Sequence, residues 1–379
     1  MSLRWNIFSS SQKTVKHRLF IDVGSSAIRS LLVESGPKGH LGIKKRVHYL
    51  PVMAERSRFL KKVSGQFHEI IFRYIKSLGS IPEKIVISAS PPLAPVAVEV
   101  IKKERHDKNK PVSVKEIEGL LAEKITRTPS AAWHPPQLTR LTVDGYDISL
   151  EDTENITGSV IELSAAYPTF EPDFIEAFSA LNKTWGGLTL EIHSTPITVA
   201  MATIKKLAER NFAIIKIGGT ATTVIAVASG TILWVESFPF GGDDVTRELV
   251  NQLKIEIGEA EDIKRRFGKF VLPQALSEKA EEIFKRHAEK LAGTVVSPFL
   301  KRQNAFPPTV FLYGGGAKDS AVQKTLSDPH WFENTTFAEK LRVEVLAGER
   351  FTDGVLFNSP LQGPDYVELA ASVFKTLNT

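Results

Sequence analysis

Three runs of small residues are the places in this 379-residue chain where residue type and spacing point to chemistry. The first is Gly24, Ser25 and Ser26, inside RLFIDVGSSAIRSLLVESG from Arg18. The second is Gly218, Gly219 and Thr220, inside FAIIKIGGTATTVIAVASG from Phe212. With no bulky side chain in the way, backbone N–H groups at such a tip can approach an anion, and successive N–H groups form a nest for phosphate oxygens. The third run, Gly314, Gly315 and Gly316, follows the apolar Thr309–Tyr313 and leads through Ala317 towards a helix. A strand that runs through glycines into a helix lets a nucleotide lie against backbone.

The elements that hold the first two runs repeat. With Asp22 placed over Lys216, Gly24 falls on Gly218, and Ser35–Gly36 falls on Ser229–Gly230. Each copy reads as an apolar strand, a tight turn and a second apolar strand, which is a β-hairpin with a Gly/Ser/Thr tip. One such tip alone is an ordinary turn. Two matched copies favour anion binding and suggest two related halves that face one another. The glycine spacing is not G-x-G-x-x-G, and no G-x-x-x-x-G-K-[ST] occurs, so Rossmann and P-loop sites are excluded.

Between the hairpins lies a stretch of different character, 98–168. Ser113 and Glu116 form a capping box that opens a helix with Ile117, Leu120, Leu121 and Ile125 on one face. Strand-like LTRLTVDGYDISL follows, turning at Asp144–Gly145, then GSVIELSAAY from Gly158 and a helix from Pro172. At the other end, DYVELAASVFKTLNT places Val367, Leu369, Ala370, Val373 and Phe374 as a closing helix.

Composition narrows the rest. Hydrophobic residues are 42% and charged residues 24%, an ordinary globular balance with room for two or three domains. There is no cysteine, so disulfides, thiolate nucleophiles and Cys-based metal sites are excluded. The nine histidines show no H-E-x-x-H or paired metal spacing, and no G-x-S-x-G elbow occurs. No apolar run approaches a membrane span, and the first residues carry no secretory signal. The net charge of +5 is mostly local, in residues 1–20 and in IKKERHDKNK from Ile101. Without interleaved aromatics these read as a solvated tail and loop, not a nucleic-acid surface. Leu3, Trp5, Ile7 and Phe8 form a short apolar segment that offers at most weak contact with a membrane surface.

Two phosphate hairpins and a late GGG turn resemble the actin-like ATPase superfamily. SFPFGGDDVTRELVNQLKIEIGEAEDIKRRFG, from Ser237 to Gly268, narrows the likeness to the FtsA/PilM-like branch, and most closely to the cell-division protein FtsA. That branch shares GGD-x-x-T followed by E-A-E-x-x-K, here Gly241, Gly242, Asp243, Thr246, Glu259, Ala260, Glu261 and Lys264. The resemblance implies a duplicated two-lobe α/β fold of the actin-like (ribonuclease H-like) type, with a small inserted α+β subdomain. The expected boundaries are a basic tail over 1–17, lobe I over 18–97 and 169–205, the inserted 1C-type subdomain over 98–168, and lobe II over 206–379 with the C-terminal helix closing the fold. It also implies an ATP site. Asp22 would hold Mg²⁺ through water, and Gly24, Ser25, Ser26, Gly218, Gly219 and Thr220 would hold phosphates with Lys216. Glu261 and Lys264 would reach the ribose or adenine edge, above Gly314, Gly315 and Gly316.

The second hairpin departs from the family's D-I-G-G-G-T-T-D. It reads K-I-G-G-T-A-T-T, so Lys216 and Thr223 stand where carboxylates belong, and Thr195 stands where a Gln or Glu precedes Pro196. Phosphoryl transfer depends on positioning and charge stabilisation, so hydrolysis should be slight or absent. Lys216 can itself neutralise phosphate oxygens, which leaves the need for Mg²⁺ open. The implied function is an FtsA-type division or cytoskeletal adaptor that binds ATP and assembles head to tail. The alternatives are a PilM-like type IV pilus platform that binds a partner's N-terminal peptide, and an active ATPase. The implied partners are a ring-forming division protein or a pilus membrane protein. The implied place is the bacterial cytoplasm, at the inner face of the membrane through a partner, with no direct C-terminal attachment expected.

Overall fold

The computed structural model describes residues 15–37, 39–50, 56–125, 136–185, 189–267, 272–302, 307–333 and 341–378. The apolar N-terminal segment, most of the basic tail and Gly268 lie outside the described residues.

The chain opens with β1 (Lys16–Val23), β2 (Ala27–Gly36), β3 (Gly39–Tyr49), α1 (Arg56–Leu78) and β4 (Lys84–Ala89). It then builds β5 (Val96–Glu104), α2 (Val114–Ile125), β6 (Gln137–Val143), β7 (Tyr146–Asp147) and β8 (Val160–Pro168). It continues through α3 (Pro172–Trp185), β9 (Thr189–Ser194) and α4 (Thr195–Leu207). The second half holds β10 (Phe212–Ile217), β11 (Thr222–Ala228), β12 (Thr231–Phe238), α5 (Gly242–Leu253), α6 (Ile257–Phe267) and α7 (Gln274–Arg302). It ends with β13 (Thr309–Tyr313), α8 (Ser320–Leu326), β14 (Arg342–Val345), β15 (Val355–Phe357) and α9 (Val367–Leu377).

The two hairpins found in the sequence seed two sheets of the same design. One has the order β15-β3-β2-β1-β4-β9 and the other β12-β11-β10-β13-β14. In each, three antiparallel strands are followed by parallel ones: β1 pairs in parallel with β4, and β10 with β13. A parallel sheet is stable when both faces are covered, and here they are. Leu19, Ile21 and Val23 pack outwards with Phe67 and Ile70 of α1 and Phe174 and Phe178 of α3. Ala213, Ile215 and Ile217 pack outwards with Leu291 and Val295 of α7. The alternate residues, Phe20 on one sheet and Phe212 and Ile214 on the other, join one core with Ile197 and Ala200 of α4 and Leu369, Ala370 and Val373 of α9. Helices α4 and α9 therefore fill the space between the two sheets. The whole is the mixed α/β, two-lobe actin-like architecture.

A third sheet, in the order β5-β8-β6-β7, has its own small core, with Leu141, Ile161 and Leu163 against Ile117 and Leu120 of α2. The capping box is present, as the Glu116 N–H donates to Ser113 Oγ at 3.2 Å. The turn between β6 and β7 has positive φ at both Asp144 and Gly145, the hairpin geometry that Asp-Gly favours.

Three details differ from the boundaries drawn on the sequence. Lys16 and His17 already belong to β1. The glycine turn after β13 enters a short 3₁₀ turn, Gly315–Lys318, before α8 begins. The end of the chain also returns to the first sheet: β15 pairs in parallel with β3, Val355 opposite His40, before α9 enters between the sheets.

Phe311 lies in the shared inner core, 1% exposed, with its ring edge-to-face against Phe212 at 5.7 Å. Phe311→Ala is expected to destabilise the fold by about 3–5 kcal/mol and to lower the midpoint of urea unfolding. A loss below about 1 kcal/mol would show that the inner core does not clamp the two sheets.

Candidate functional site

Strand parity decides what faces the interlobe space. Side chains two residues apart share a face, so Asp22 follows Phe20 inwards and Lys216 follows Ile214. Between the ends of these strands opens a cleft of about 540 Å³. Both hairpin tips, the third glycine turn and the start of α5 form its walls, together with Glu261 and Lys264 of α6.

The tips are built alike. The Gly24 N–H donates to the Ala27 carbonyl at 3.0 Å, and the Gly218 N–H donates to the Ala221 carbonyl at 3.0 Å. Across the cleft, Ser25 Oγ accepts from the N–H of Gly219 at 3.2 Å and of Thr220 at 3.1 Å. Two successive amides thus converge on one oxygen from the opposite lobe, which is the nest that small residues at the tip were expected to form. A Cβ on Gly219 would meet the Ser26 hydroxyl, so a side chain there would require Ser26 to turn away. Gly314 has φ +92°, and a Cβ on it would lie 2.5 Å from the Ile217 carbonyl oxygen. The third turn can therefore tuck under the second hairpin only as glycine.

Lys216 does not stand alone. Its Nζ lies 2.5 Å from Glu368 Oε1 of α9, and both side chains are almost completely buried. Glu368 also accepts from Ser90 Oγ at 2.8 Å and from the Tyr313 hydroxyl at 3.4 Å. Burial pushes the Glu368 carboxyl up, but the Lys216 ammonium and hydrogen bonds from Lys216, Asp22 and Ser90 outweigh it and hold the carboxyl below its ordinary value. Asp22 is fully buried with its carboxyl facing that of Glu368, close enough for the two to share a proton, and Arg29 Nη1 is 3.6 Å away. Burial, and next the facing Glu368, raise the Asp22 carboxyl well above its ordinary value.

The second wall joins the two motifs of α5 and α6. Lys264 Nζ donates to the Gly242 carbonyl at 3.1 Å, to Thr246 Oγ1 at 2.7 Å and to Glu261 Oε1 at 2.5 Å. Thr246 donates to the same carboxylate. The GGD-x-x-T and E-A-E-x-x-K segments are thus one hydrogen-bonded unit, with the Glu261 and Lys264 heads engaged with each other. Farther in, the rings of Phe267 and Phe284 stack at 4.2 Å and His287 stacks on Phe240 at 4.5 Å, which gives that end an apolar wall. At the mouth, Arg265 of the second lobe lies over the Tyr49 ring of the first, 5.1 Å from its centroid.

All the sequence-predicted residues lie in or behind this cleft. Gly24, Ser25, Ser26, Lys216, Gly218, Gly219, Glu261, Lys264, Gly314, Gly315 and Gly316 line it. Thr220 contributes its N–H to the nest, and Asp22 lies buried behind. Of the positions that depart from the family's pattern, Lys216 is closed by Glu368, and Thr223 and Thr195 are closed by neutral hydrogen bonds. The Thr223 hydroxyl meets Ser237 Oγ at 3.0 Å, and Thr195 Oγ1 donates to the Ala89 carbonyl at 3.0 Å. His193 is buried with Nε2 2.7 Å from Glu191 Oε1, a structural partnership away from the tips. Glu368, Arg29 and Tyr313 are the members that the sequence did not single out. The signal for Glu368 was present as a polar residue between Val367 and Leu369, with Ser372 one turn further on.

The residues fit a nucleoside polyphosphate: a converging amide nest, glycine backbone below, a polar wall and an apolar end. They do not fit a divalent cation. Glu368 is engaged by Lys216, Asp22 stands beside two protein cations, and no group of three His, Asp or Glu that could hold a metal occurs among the described residues.

Removing one partner of a buried ion pair leaves an uncompensated charge. Glu368→Ala and Lys216→Ala are each expected to destabilise by about 3–5 kcal/mol, and a double replacement by Met and Leu by far less. Equal losses in all three variants, read by urea unfolding, would contradict the pairing. His287 gives a pH test. Burial lowers its folded pKa to about 4, against an ordinary value of 6.5. The unfolded chain takes up the proton first, so stability present above pH 6.5 is lost as pH falls towards about 4, by roughly 3 kcal/mol. His287→Gln should flatten melting temperature across that window, and an unchanged slope would contradict the assignment.

Residues 213–354 match the family model described as cell division protein FtsA. A search of curated proteins found no match. Among solved structures, the fold is similar to the one described as the PilM-PilN type IV pilus biogenesis complex, with a TM-score of 0.62 and 16% identity. That alignment covers 94% of this chain and 97% of the other. It is also similar to the ethanolamine utilization protein EutJ from Carboxydothermus hydrogenoformans, with a TM-score of 0.52 and 15% identity over 96% of this chain and 92% of that one. The chain thus has the two-lobe actin-like fold of these structures, and the match to the FtsA family model spans residues 213–354 of it.

Proposed function

We propose that this protein is an FtsA-type actin-like adaptor that binds ATP in the interlobe cleft, with little or no hydrolysis, and self-assembles. The observation that carries the nucleotide is the convergence of the Gly219 and Thr220 amides on a single oxygen from the opposite hairpin. A phosphate oxygen that displaces Ser25 Oγ would inherit both hydrogen bonds. Above it, Gly314–Gly316 leave room for the nucleoside against backbone, and Glu261 and Lys264 edge the same wall.

Weak hydrolysis follows from what the cleft lacks. Attack by water needs a group to orient it and charge to stabilise the transferring phosphoryl group. Thr223 and Thr195 are neutral and internally bonded, and the Glu368 carboxylate is held by Lys216 and Ser90. An active ATPase is therefore the weakest of the readings. Assembly head to tail would join unlike surfaces of successive copies and give an open filament. No helix among the described residues is long and apolar enough to cross a membrane, so the proposed place at the membrane's inner face depends on a partner. The second reading, a pilus platform that takes a partner's N-terminal peptide, is favoured by the overall likeness to the PilM-PilN structure. Capture of such a peptide would select it over a ring-forming division partner.

The nucleotide claim is tested by a melting curve against ATP, with phosphate release followed in parallel. At 100 times its dissociation constant ATP should add about 2.7 kcal/mol to the folded state, seen as a rise in melting temperature. Phosphate release should stay at the level of a protein-free blank. No rise at millimolar ATP would contradict nucleotide binding, and steady turnover would contradict the adaptor.

A further inference from the structure

We infer that the Lys216–Glu368 pair takes the place of a divalent cation, so that this cleft accepts a nucleoside polyphosphate as the metal-free anion. The inference rests on the nucleotide reading above and adds the ionic form of the ligand and the two residues that decide it.

Charge is the argument. An acidic site that waits for Mg²⁺ presents carboxylates whose charge the metal balances, and the metal stays bound through them and the phosphates. Here two acids, Asp22 and Glu368, are met by two protein cations, Arg29 at 3.6 Å from Asp22 and Lys216 at 2.5 Å from Glu368. Both cations are in place before any ligand enters. A divalent cation placed there would face two like charges at close range with little water to screen them. A phosphate oxygen would instead meet an ammonium that sits on the cleft wall beside Gly218 and Gly219. Ammonium to phosphate is a strong, charge-assisted hydrogen bond. The flexible stem of Lys216 allows its head to be shared between Glu368 and the incoming anion. The second hairpin agrees with this arrangement, because Thr223 is satisfied by Ser237 and offers no carboxylate to a metal.

Glu368 then has a defined part. It compensates Lys216 while the cleft is empty and competes with the phosphate when the ligand arrives. Removing its charge while keeping an acceptor should strengthen anion binding, whereas removing the Lys216 charge should weaken it. A purely structural pair would show losses in both.

The experiment is isothermal titration of the full chain with ATP, once in EDTA and once in millimolar Mg²⁺, repeated for Lys216→Gln and Glu368→Gln. The expected result is affinity within about threefold in the two buffers. A loss of about tenfold or more in EDTA is expected for Lys216→Gln, and an affinity at least equal to the parent's for Glu368→Gln. Binding that needs Mg²⁺ would overturn this inference and leave the nucleotide proposal standing. Metal-independent binding unaffected by Lys216→Gln would also overturn it, as would parallel losses in both variants. No heat of binding in either buffer would overturn the nucleotide proposal itself, and this inference with it. The parent protein's two titrations decide the metal question even if a variant fails to fold.

Discussion

The buried contact between Lys216 and Glu368 is the interaction on which the interlobe region depends. An ammonium at the inner end of β10 is intolerable in an apolar core unless something meets it. What meets it is the first turn of α9, contributed by the far end of the chain. That requirement ties α9 into the space between the sheets, beside Ser90 and Tyr313, and brings β15 back to the first sheet on the way. A desolvated pair seldom adds net stability over an apolar replacement. Its place in the cleft wall fits the ligand role inferred for it.

Around this pair the two lobes meet at small-residue tips. The same closing hydrogen bond at Gly24 and Gly218 shows that one local design was used twice, and the Ser25 contact shows the two copies facing each other. The contact links residues 194 and 195 positions apart, so it exists only when both sheets and the helices between them are in place. Fold and site are in this respect the same structure: the nest has no partner until the lobes are assembled.

Much of this was legible in the sequence because it is local. Two hairpins with alternating apolar strands, an Asp144–Gly145 turn, the Ser113–Glu116 cap and a strand ending in three glycines each declare themselves within a dozen residues or so. Even the departure at Lys216 was visible, as a charge in a strand that is otherwise apolar. Its partner was not. Helix α9 was read by its apolar stripe, and Glu368 and Ser372 sit on the face that stripe leaves over. Arg29 is opposite Asp22 in the β1–β2 register, but that register needs four residues, Gly24 to Ala27, between the paired Val23 and Ile28, which glycine and serine alone do not dictate. The Arg265–Tyr49 contact at the cleft mouth joins the two lobes and has no local signature at all.

The most direct test of the central claim is a crystal structure of the protein grown with ADP and Mn²⁺, with data collected for anomalous scattering. The account predicts nucleotide density between the two tips, Lys216 Nζ within hydrogen-bonding distance of a phosphate oxygen, and no anomalous peak between the phosphates and Asp22. A manganese peak there, with Lys216 still turned to Glu368, would contradict it.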